Sequence, residues 1–460
     1  MVSKSAAKLR VPARASVFYL GTSAVVKALG ILTTPIFTRI LDGYEYGAFS
    51  YYMAILGVGS IISSLLFSGS VMYGCLKKHS IDSVFLPAIV IGTLLNAIIS
   101  ILAFPLLASR PALCALIFLQ LTADTVIGVY CASRRYVYDY KRVCLISVIS
   151  AVTAIPISLA LISGANLGYK GKIFGLLFTS FLIALPLFAT FMTKRDGSFT
   201  APVSTHLIDT TIPLIPHAIA LAVNAEADKL VVGNLLGSTA LAKYTVVHSL
   251  GAGLLFAVSA IGSALGPWVT RKITASNHDA VREPLRLGFI LLGAGTVMLS
   301  ALAPEIMRFL APIEYSDAIY AIYPIALASL PSFAASVCSM ALTSTENGNL
   351  ASRASVASAI VNLVFGIILV RQLGYIGAGI ALLLSCTTLF FTEWRYISTA
   401  AIGEIIPTNN LTKVFIITTG AIGVISLLYD FLWARLLICI PAVLCGVGAL
   451  LESRKYVFEG

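Results

Sequence analysis

Apolar runs of about 20 residues follow one another along almost the whole of this chain, and no connector between them exceeds about 20 residues. A helix of about 20 residues spans the roughly 30 Å hydrocarbon core of a bilayer, so each run is long enough to cross a membrane. Cut at its charged and turn-rich breaks, the chain gives about fourteen such segments. The first covers 15–39, the seventh 209–236, the tenth 318–344 and the last 433–452. Composition closes the soluble alternative. Only 11% of the residues are charged, less than half the ~25% typical of soluble domains, and such a chain cannot cover its own surface in water. Backbone in lipid must satisfy its hydrogen bonds within each segment, which favours helices. The expected fold class is therefore all-α, a polytopic membrane protein of about fourteen transmembrane helices.

The net charge of +11 would suggest nucleic acid if it were gathered on one face, but all except two of the 31 Lys and Arg sit in short connectors or at helix ends. Placing the N-terminus in the cytoplasm puts 21 of them on the cytoplasmic side and 8 at the outer side, Lys170 and Lys172 among the latter, with Lys27 and Lys229 left inside spans. That bias follows the positive-inside rule. It predicts both termini in the cytoplasm and explains the charge with no nucleic-acid partner. The basic start, MVSKSAAKLRVPAR, leads into a full-length apolar run without an A-x-A site, so an uncleaved first helix is expected. The eight cysteines show no C-x-x-C spacing and mostly lie in apolar runs. They read as small buried hydrophobes, not as disulfides or metal ligands.

A membrane glycosyltransferase or polymerase needs an extramembrane region or large loop for its catalytic groups, and the short connectors leave no room for one. The G-x-x-x-x-G-K-[ST], H-E-x-x-H and G-x-S-x-G patterns do not occur either, which removes the usual signals of ATP-driven pumps and intramembrane hydrolases. The expectation is a transporter, with no catalytic residues, cofactor or metal. Repetition points the same way. Leu167-Gly168-Tyr169-Lys170-Gly171, between spans five and six, returns as Leu373-Gly374-Tyr375-Ile376-Gly377 between spans eleven and twelve, 206 positions later. A tight turn needing glycine at positive φ explains either copy alone. Two copies at matching places in six-helix units indicate a parallel repeat, as in many secondary transporters. The expected layout is a basic N-terminus (1–14), a six-helix lobe (15–193), a linker (194–208), a second lobe (209–397), a helix pair (411–452) and a tail (453–460).

Several stretches together resemble one family. They are T-R-I-L-D-G-Y-E-Y-G-A-F at 38–49, P-L-I-P-H at 213–217, A-D-K-L-V-V-G-N-L-L-G at 227–237, A-P-E-I-M-R-F-L-A at 303–311 and V-N-L-V-F-G-I-I-L-V-R-Q-L-G-Y-I-G-A-G-I-A at 361–381. The chain is similar to the polysaccharide-repeat-unit (O-antigen, Wzx-type) flippases of the multidrug/oligosaccharidyl-lipid/polysaccharide exporter superfamily. The resemblance covers nearly the whole chain. It implies two six-helix lobes plus a terminal pair, in a bacterial inner membrane. It also implies export of an undecaprenyl-pyrophosphate-linked oligosaccharide for O-antigen, lipopolysaccharide or other surface polysaccharide biosynthesis, with a polymerase and a chain-length regulator as further partners. Asp42-Gly43 stands where the family often has Leu-Gly-Pro. The same superfamily offers an alternative, a cation-coupled multidrug antiporter. Twelve helices and an acidic residue in helix one would favour it, whereas about fourteen segments and Lys27 stand here.

Charges inside spans are costly and usually face a cavity or a partner. Lys27 lies near the middle of span one, on a stripe with Ser16, Ser23, Thr34 and Thr38. It either lines a central cavity or snorkels to the surface or pairs with a carboxylate. On span seven Pro213, His217, Asn224 and Asp228 share a face, while Glu226 and Lys229 share another and are spaced for a pair. Lys27, Lys229, Asn224 and His248 are the candidate headgroup and pyrophosphate contacts. Asp124, Asp228 and Glu226 are candidates for ion coupling or charge pairing, Asp124 with Lys27 as one possible pair. For His248, next to Tyr244 by helical spacing, satisfied packing is the alternative to a sugar contact. Pro213 and Pro216 suggest a kink in span seven.

Overall fold

The structure, a computed structural model, describes residues 2–76, 81–107, 111–193, 215–275, 277, 279–345, 347–399 and 406–458. All regular elements among them are helical. Thirteen segments are long and apolar enough to cross a membrane. One further helix, Ile215–Leu236, has the length at 22 residues but carries Glu226, Asp228 and Lys229 within four positions. With it, the chain reaches the fourteen helices expected from its apolar runs. Residues 209–214 of the expected seventh segment, Pro213 among them, lie outside the described residues. Pro216 is the second described residue of this helix, and the stretch before it, where the kink expected from Pro213 and Pro216 would begin, lies outside the described residues.

The chain forms two compact units, Met1–Glu226 and Ala227–Gly460. In the first, α1 (Val2–Ile40), α2 (Gly43–Leu76), α3 (Ile81–Leu102), α4 (Ala112–Tyr136), α5 (Tyr140–Ser163) and α6 (Gly168–Thr193) alternate in direction through short joints. Helix α4 packs on α2, α3, α5 and α6, and α5 also meets α1 and α6. The α1 to α2 joint is fixed by Asp42, whose carboxylate accepts the Glu45 backbone N–H at 2.7 Å. That is a side-chain cap on an otherwise open helix start, and it gives Asp42-Gly43 a local purpose. Under α2 to α4, Asn96 is buried. It accepts from Ser63 at 2.6 Å and donates to Thr125 at 2.8 Å, tying three helices with satisfied polar groups.

Helix α7 (Ile215–Leu236) runs across the division. The second unit continues with α8 (Ser238–Thr274), α9 (Asp279–Leu310), a 3₁₀ segment (Ile313–Ala321), α10 (Ile322–Leu327), α11 (Ser329–Ser344), α12 (Gly348–Leu373), α13 (Tyr375–Thr399), α14 (Thr408–Leu427) and α15 (Leu432–Phe458). The tenth span, expected as one helix over 318–344, is broken into the 3₁₀ segment, α10 and α11. Pro324 and Pro331, which lack an N–H, each sit in the first turn of a piece. Helix α13 then approaches so closely that a β-carbon on Gly379 would stand 2.7 Å from Pro324 Cγ. Helix α15 is fastened to α9 near both ends. The Arg435 guanidinium donates to both Glu305 oxygens, at 2.7 and 3.1 Å, and Arg286 meets Glu452 at 3.2 Å.

The repeated L-G-Y-x-G has the same backbone role in both copies. Gly168 (φ 54°), the first residue of α6, and Gly374 (φ 60°), just before α13, take the left-handed conformation. Three residues on, Gly171 and Gly377 lie where the new helix crosses the old one. A β-carbon on Gly171 would stand 3.0 Å from the Ile162 nitrogen, and one on Gly377 would collide with the Leu369 carbonyl. The motif is therefore a turn and a close crossing together, built once in each unit.

Candidate functional site

A cavity of about 680 Å³ opens within the first unit, lined by residues of α1, α2, α4, α5 and α6. Its wall is largely apolar, with hydroxyls from Thr33, Thr34, Tyr46, Ser147, Ser150 and Ser158. Three charged residues, two basic and one acidic, line it: Lys172 from the first turns of α6, Asp124 from the middle of α4 and Arg135 from the end of α4. Helix geometry places Arg135 about 16 Å along the axis from Asp124, so these charges are spread along the cavity and do not form one cluster.

Lys172 is the most unusual of the three. The outward-facing Lys expected near the start of α6 turns its ammonium over the rings of Phe37 (3.7 Å to the centroid), Phe49 (3.9 Å) and Tyr46 (5.0 Å). Phe37 comes from the end of α1 and the other two from the start of α2. Ring faces attract cations by about 2 kcal/mol when the site is dry, and among the described residues no carboxylate pairs with Lys172. Asp124, by contrast, is held. Its Oδ1 accepts from Gln120 Nε2 at 3.0 Å and from Ser180 Oγ at 3.1 Å, and Gln120 also donates to Ser180 at 2.7 Å. Arg135 lies over the Tyr19 ring at 5.7 Å and is exposed.

The other residues singled out from sequence are distributed elsewhere. Lys27 is exposed and is not among the cavity-lining residues, although Gly30 and Thr34, close to its stripe, do line it. The hydroxyls of Thr34 and Thr38 are spent on the carbonyls of Gly30 and Thr34, each at 3.0 Å, and Ser23 is exposed. Asn224 is half-buried on α7. Glu226 packs near Gly57, where a β-carbon would stand 2.9 Å from its carboxyl carbon. Within the second unit Asp228, Tyr244 and His248 come together. Asp228 is 2% exposed and accepts from the Tyr244 hydroxyl at 2.5 Å, and His248 Nε2 lies 3.3 Å from the same oxygen. Lys229, half-buried, donates its backbone N–H to the other Asp228 oxygen at 2.8 Å.

Three charged residues escaped the sequence reading. Lys172 and Arg135 read as connector residues by hydropathy. Glu393 lies on α13, fully buried, with Oε1 accepting from Ser339 at 2.5 Å and Oε2 without a protein partner among the described residues. The repeat carried a signal for Lys172. Its counterpart 206 positions on is Ala378, fully buried on α13, so the first copy has a cation where the second has a packed methyl.

The sequence matches two family models, one described as "Polysaccharide biosynthesis protein" over residues 36–279 and one described as "MatE" over residues 213–368. No curated protein matches it. Among solved structures it is similar to the lipid II flippase MurJ in an inward closed conformation, with TM-score 0.68 and 16% identity over 95% of this chain and 99% of the other. It is also similar to an inward-facing multidrug resistance MATE family transporter of the MOP superfamily, with TM-score 0.67 and 14% identity over 82% of this chain and 95% of the other. A MATE transporter in a straight conformation aligns with TM-score 0.58 and 15% identity over 85% of this chain and 96% of the other. At such identities the likeness is one of fold.

Proposed function

The chain belongs to the polysaccharide biosynthesis protein family, whose model covers more than half its length, and from that premise we propose that it is a flippase for undecaprenyl-pyrophosphate-linked oligosaccharide repeat units. The observation that carries this reading is the cavity of the first unit. It is lined by two cations, Lys172 and Arg135, and by one carboxylate, Asp124, that Gln120 and Ser180 already engage. Such a wall suits an anion, and its hydroxyls suit the sugar hydroxyls that lose water on entry. The polyprenyl tail stays in lipid while the headgroup crosses.

In this reading Lys172 and Arg135 offset pyrophosphate charge at opposite ends of the cavity, Lys27, Lys229 and Asn224 contribute further headgroup contacts as access alternates, and Asp124 is the group that could exchange an ion. Asp228, Glu226 and His248 act mainly in holding α7 in place. The protein resides in a bacterial inner membrane with both termini in the cytoplasm and serves O-antigen or other surface polysaccharide assembly, next to a polymerase and a chain-length regulator. Moving one negative charge out of a cell at 100 mV releases about 2.3 kcal/mol, enough to bias export without a coupled ion. A cation-coupled drug antiporter, the reading the MatE match would otherwise favour, needs a cavity open to cations, and Lys172 stands in the aromatic end of this one.

Depletion of the protein in its host tests the reading. The expected result is accumulation of a lipid-pyrophosphate-linked oligosaccharide in the cytoplasmic leaflet with loss of surface polysaccharide. Normal surface polysaccharide together with sensitivity to cationic drugs would contradict it.

A further inference from the structure

We propose that Lys172 is a specificity-determining residue that acts as the permanent, tethered occupant of an aromatic cation cage, so that the cavity of the first unit takes anions and refuses organic cations. The inference rests on the reading of this cavity as part of the solute path, and it assigns the cavity a selection rule that the reading alone does not contain.

Three rings from two helices, Phe37, Tyr46 and Phe49, surround one ammonium at 3.7 to 5.0 Å. Ring faces converging on one point are a receptor for a cation, and quaternary ammonium groups are the ligands such cages recognise. The wall also carries Asp124, with Arg135 about 16 Å further along the axis, so without Lys172 the aromatic end of the cavity would present bare ring faces and no cation of its own, an arrangement that attracts organic cations. With Lys172 in place the cage is occupied from within the chain, and Asp124 is engaged by Gln120 and Ser180. The ammonium fills the cage and turns the sign of that end of the cavity positive. Specificity is obtained here by repelling the wrong ligand as much as by attracting the right one.

The placement is built by local backbone, not by a flexible side chain reaching in by chance. Gly168, at φ 54°, and Gly171, against the Ile162 backbone, fix the first turn of α6 on α5. The Lys172 carbonyl accepts from Ser158 at 3.5 Å. That fixes the residue where α6 passes the α1 to α2 joint that supplies the rings. The second copy of the repeat, which has Ala378 at this position, lacks the cation.

The test uses the full chain in lipid nanodiscs, with radiolabelled choline as the cation probe and 3,3-dimethyl-1-butanol, its neutral isostere, as competitor. The wild-type protein and Lys172→Arg should show no saturable choline binding. Lys172→Ala and Lys172→Ser should each gain saturable choline binding that a tenfold excess of the neutral isostere does not displace, and adding Phe37→Leu should remove it. Folded small-residue variants that bind no choline, or a wild-type protein that binds it as well as they do, would overturn the proposal. A second measurement needs no variant that empties the cage. After reductive ¹³C-methylation of the wild-type lysines, one methyl signal should be shifted upfield by ring currents and vanish in Lys172→Arg, and absence of such a signal would also overturn it. Complementation of surface polysaccharide in the same variants reports on the flippase reading separately. Choline binding gained with export never supported would retain the cage and reject the flippase.

Discussion

Single charged residues in this chain differ in what holds them, and that difference sorts their expected roles. Lys27 is exposed on α1, outside the lining of the first-unit cavity, and its proposed part is a charge contact with the headgroup during transit. Lys27→Ala is expected to lower export at least tenfold at unchanged membrane abundance, with Lys27→Arg retaining a part, because a planar fork replaces a compact ammonium at equal charge. Surface polysaccharide measured against protein level checks this, and full export by Lys27→Ala would remove Lys27 from the path. Legibility at this scale was partial. Asp124 and Lys27 stood out because they interrupt apolar runs. Lys172, four residues past the turn glycine Gly168, reads as a connector residue because the direction of a side chain at a helix start is not written in hydropathy. It depends on which rings the neighbouring helices bring. Asp228 and His248, twenty positions apart, meet only because α7 and α8 pack side by side, a contact no local pattern announces.

At the scale of elements, the joints determine which helices cross closely. The paired glycines of L-G-Y-x-G place α6 on α5 and α13 on α12 with backbone in contact, a packing in which small residues substitute for the hydrophobic driving force that lipid does not supply. Gly377→Ala must push α13 off the Leu369 carbonyl and should cost about 1–3 kcal/mol, the usual range for overpacking. Gly420→Ala on α14, with nothing within 4 Å of the new methyl, should leave stability unchanged or slightly raised. Melting temperatures of the purified proteins in one detergent compare the two directly, and equal melting temperatures would refute the crossing. The turn half of the motif was readable from sequence, since glycine at such a joint signals positive φ. The crossing half was not, because it depends on the neighbouring backbone. The broken tenth span was foreshadowed by Pro324 and Pro331, which an apolar-run criterion passes over.

For the molecule as a whole, length of apolar run decided nearly everything. Thirteen described segments meet the requirement for crossing a bilayer, and α7 completes the fourteen despite the three charges that reduce its mean hydropathy. What hydropathy could not supply is where polar groups gather, and the 680 Å³ cavity draws on five helices that are distant in sequence. The central claim is that this cavity belongs to a path for a lipid-linked anion. The direct measurement uses proteoliposomes holding the full chain and a fluorescent, short-polyprenyl pyrophosphate-linked oligosaccharide, with a membrane-impermeant quencher added outside. The account predicts that quenching extends to the inner-leaflet label in wild-type vesicles, slows at least tenfold with Lys172→Ala, and is not inhibited by choline in the wild type. Quenching confined to the outer leaflet in vesicles with folded wild-type protein, under an imposed membrane potential of either sign, would contradict it.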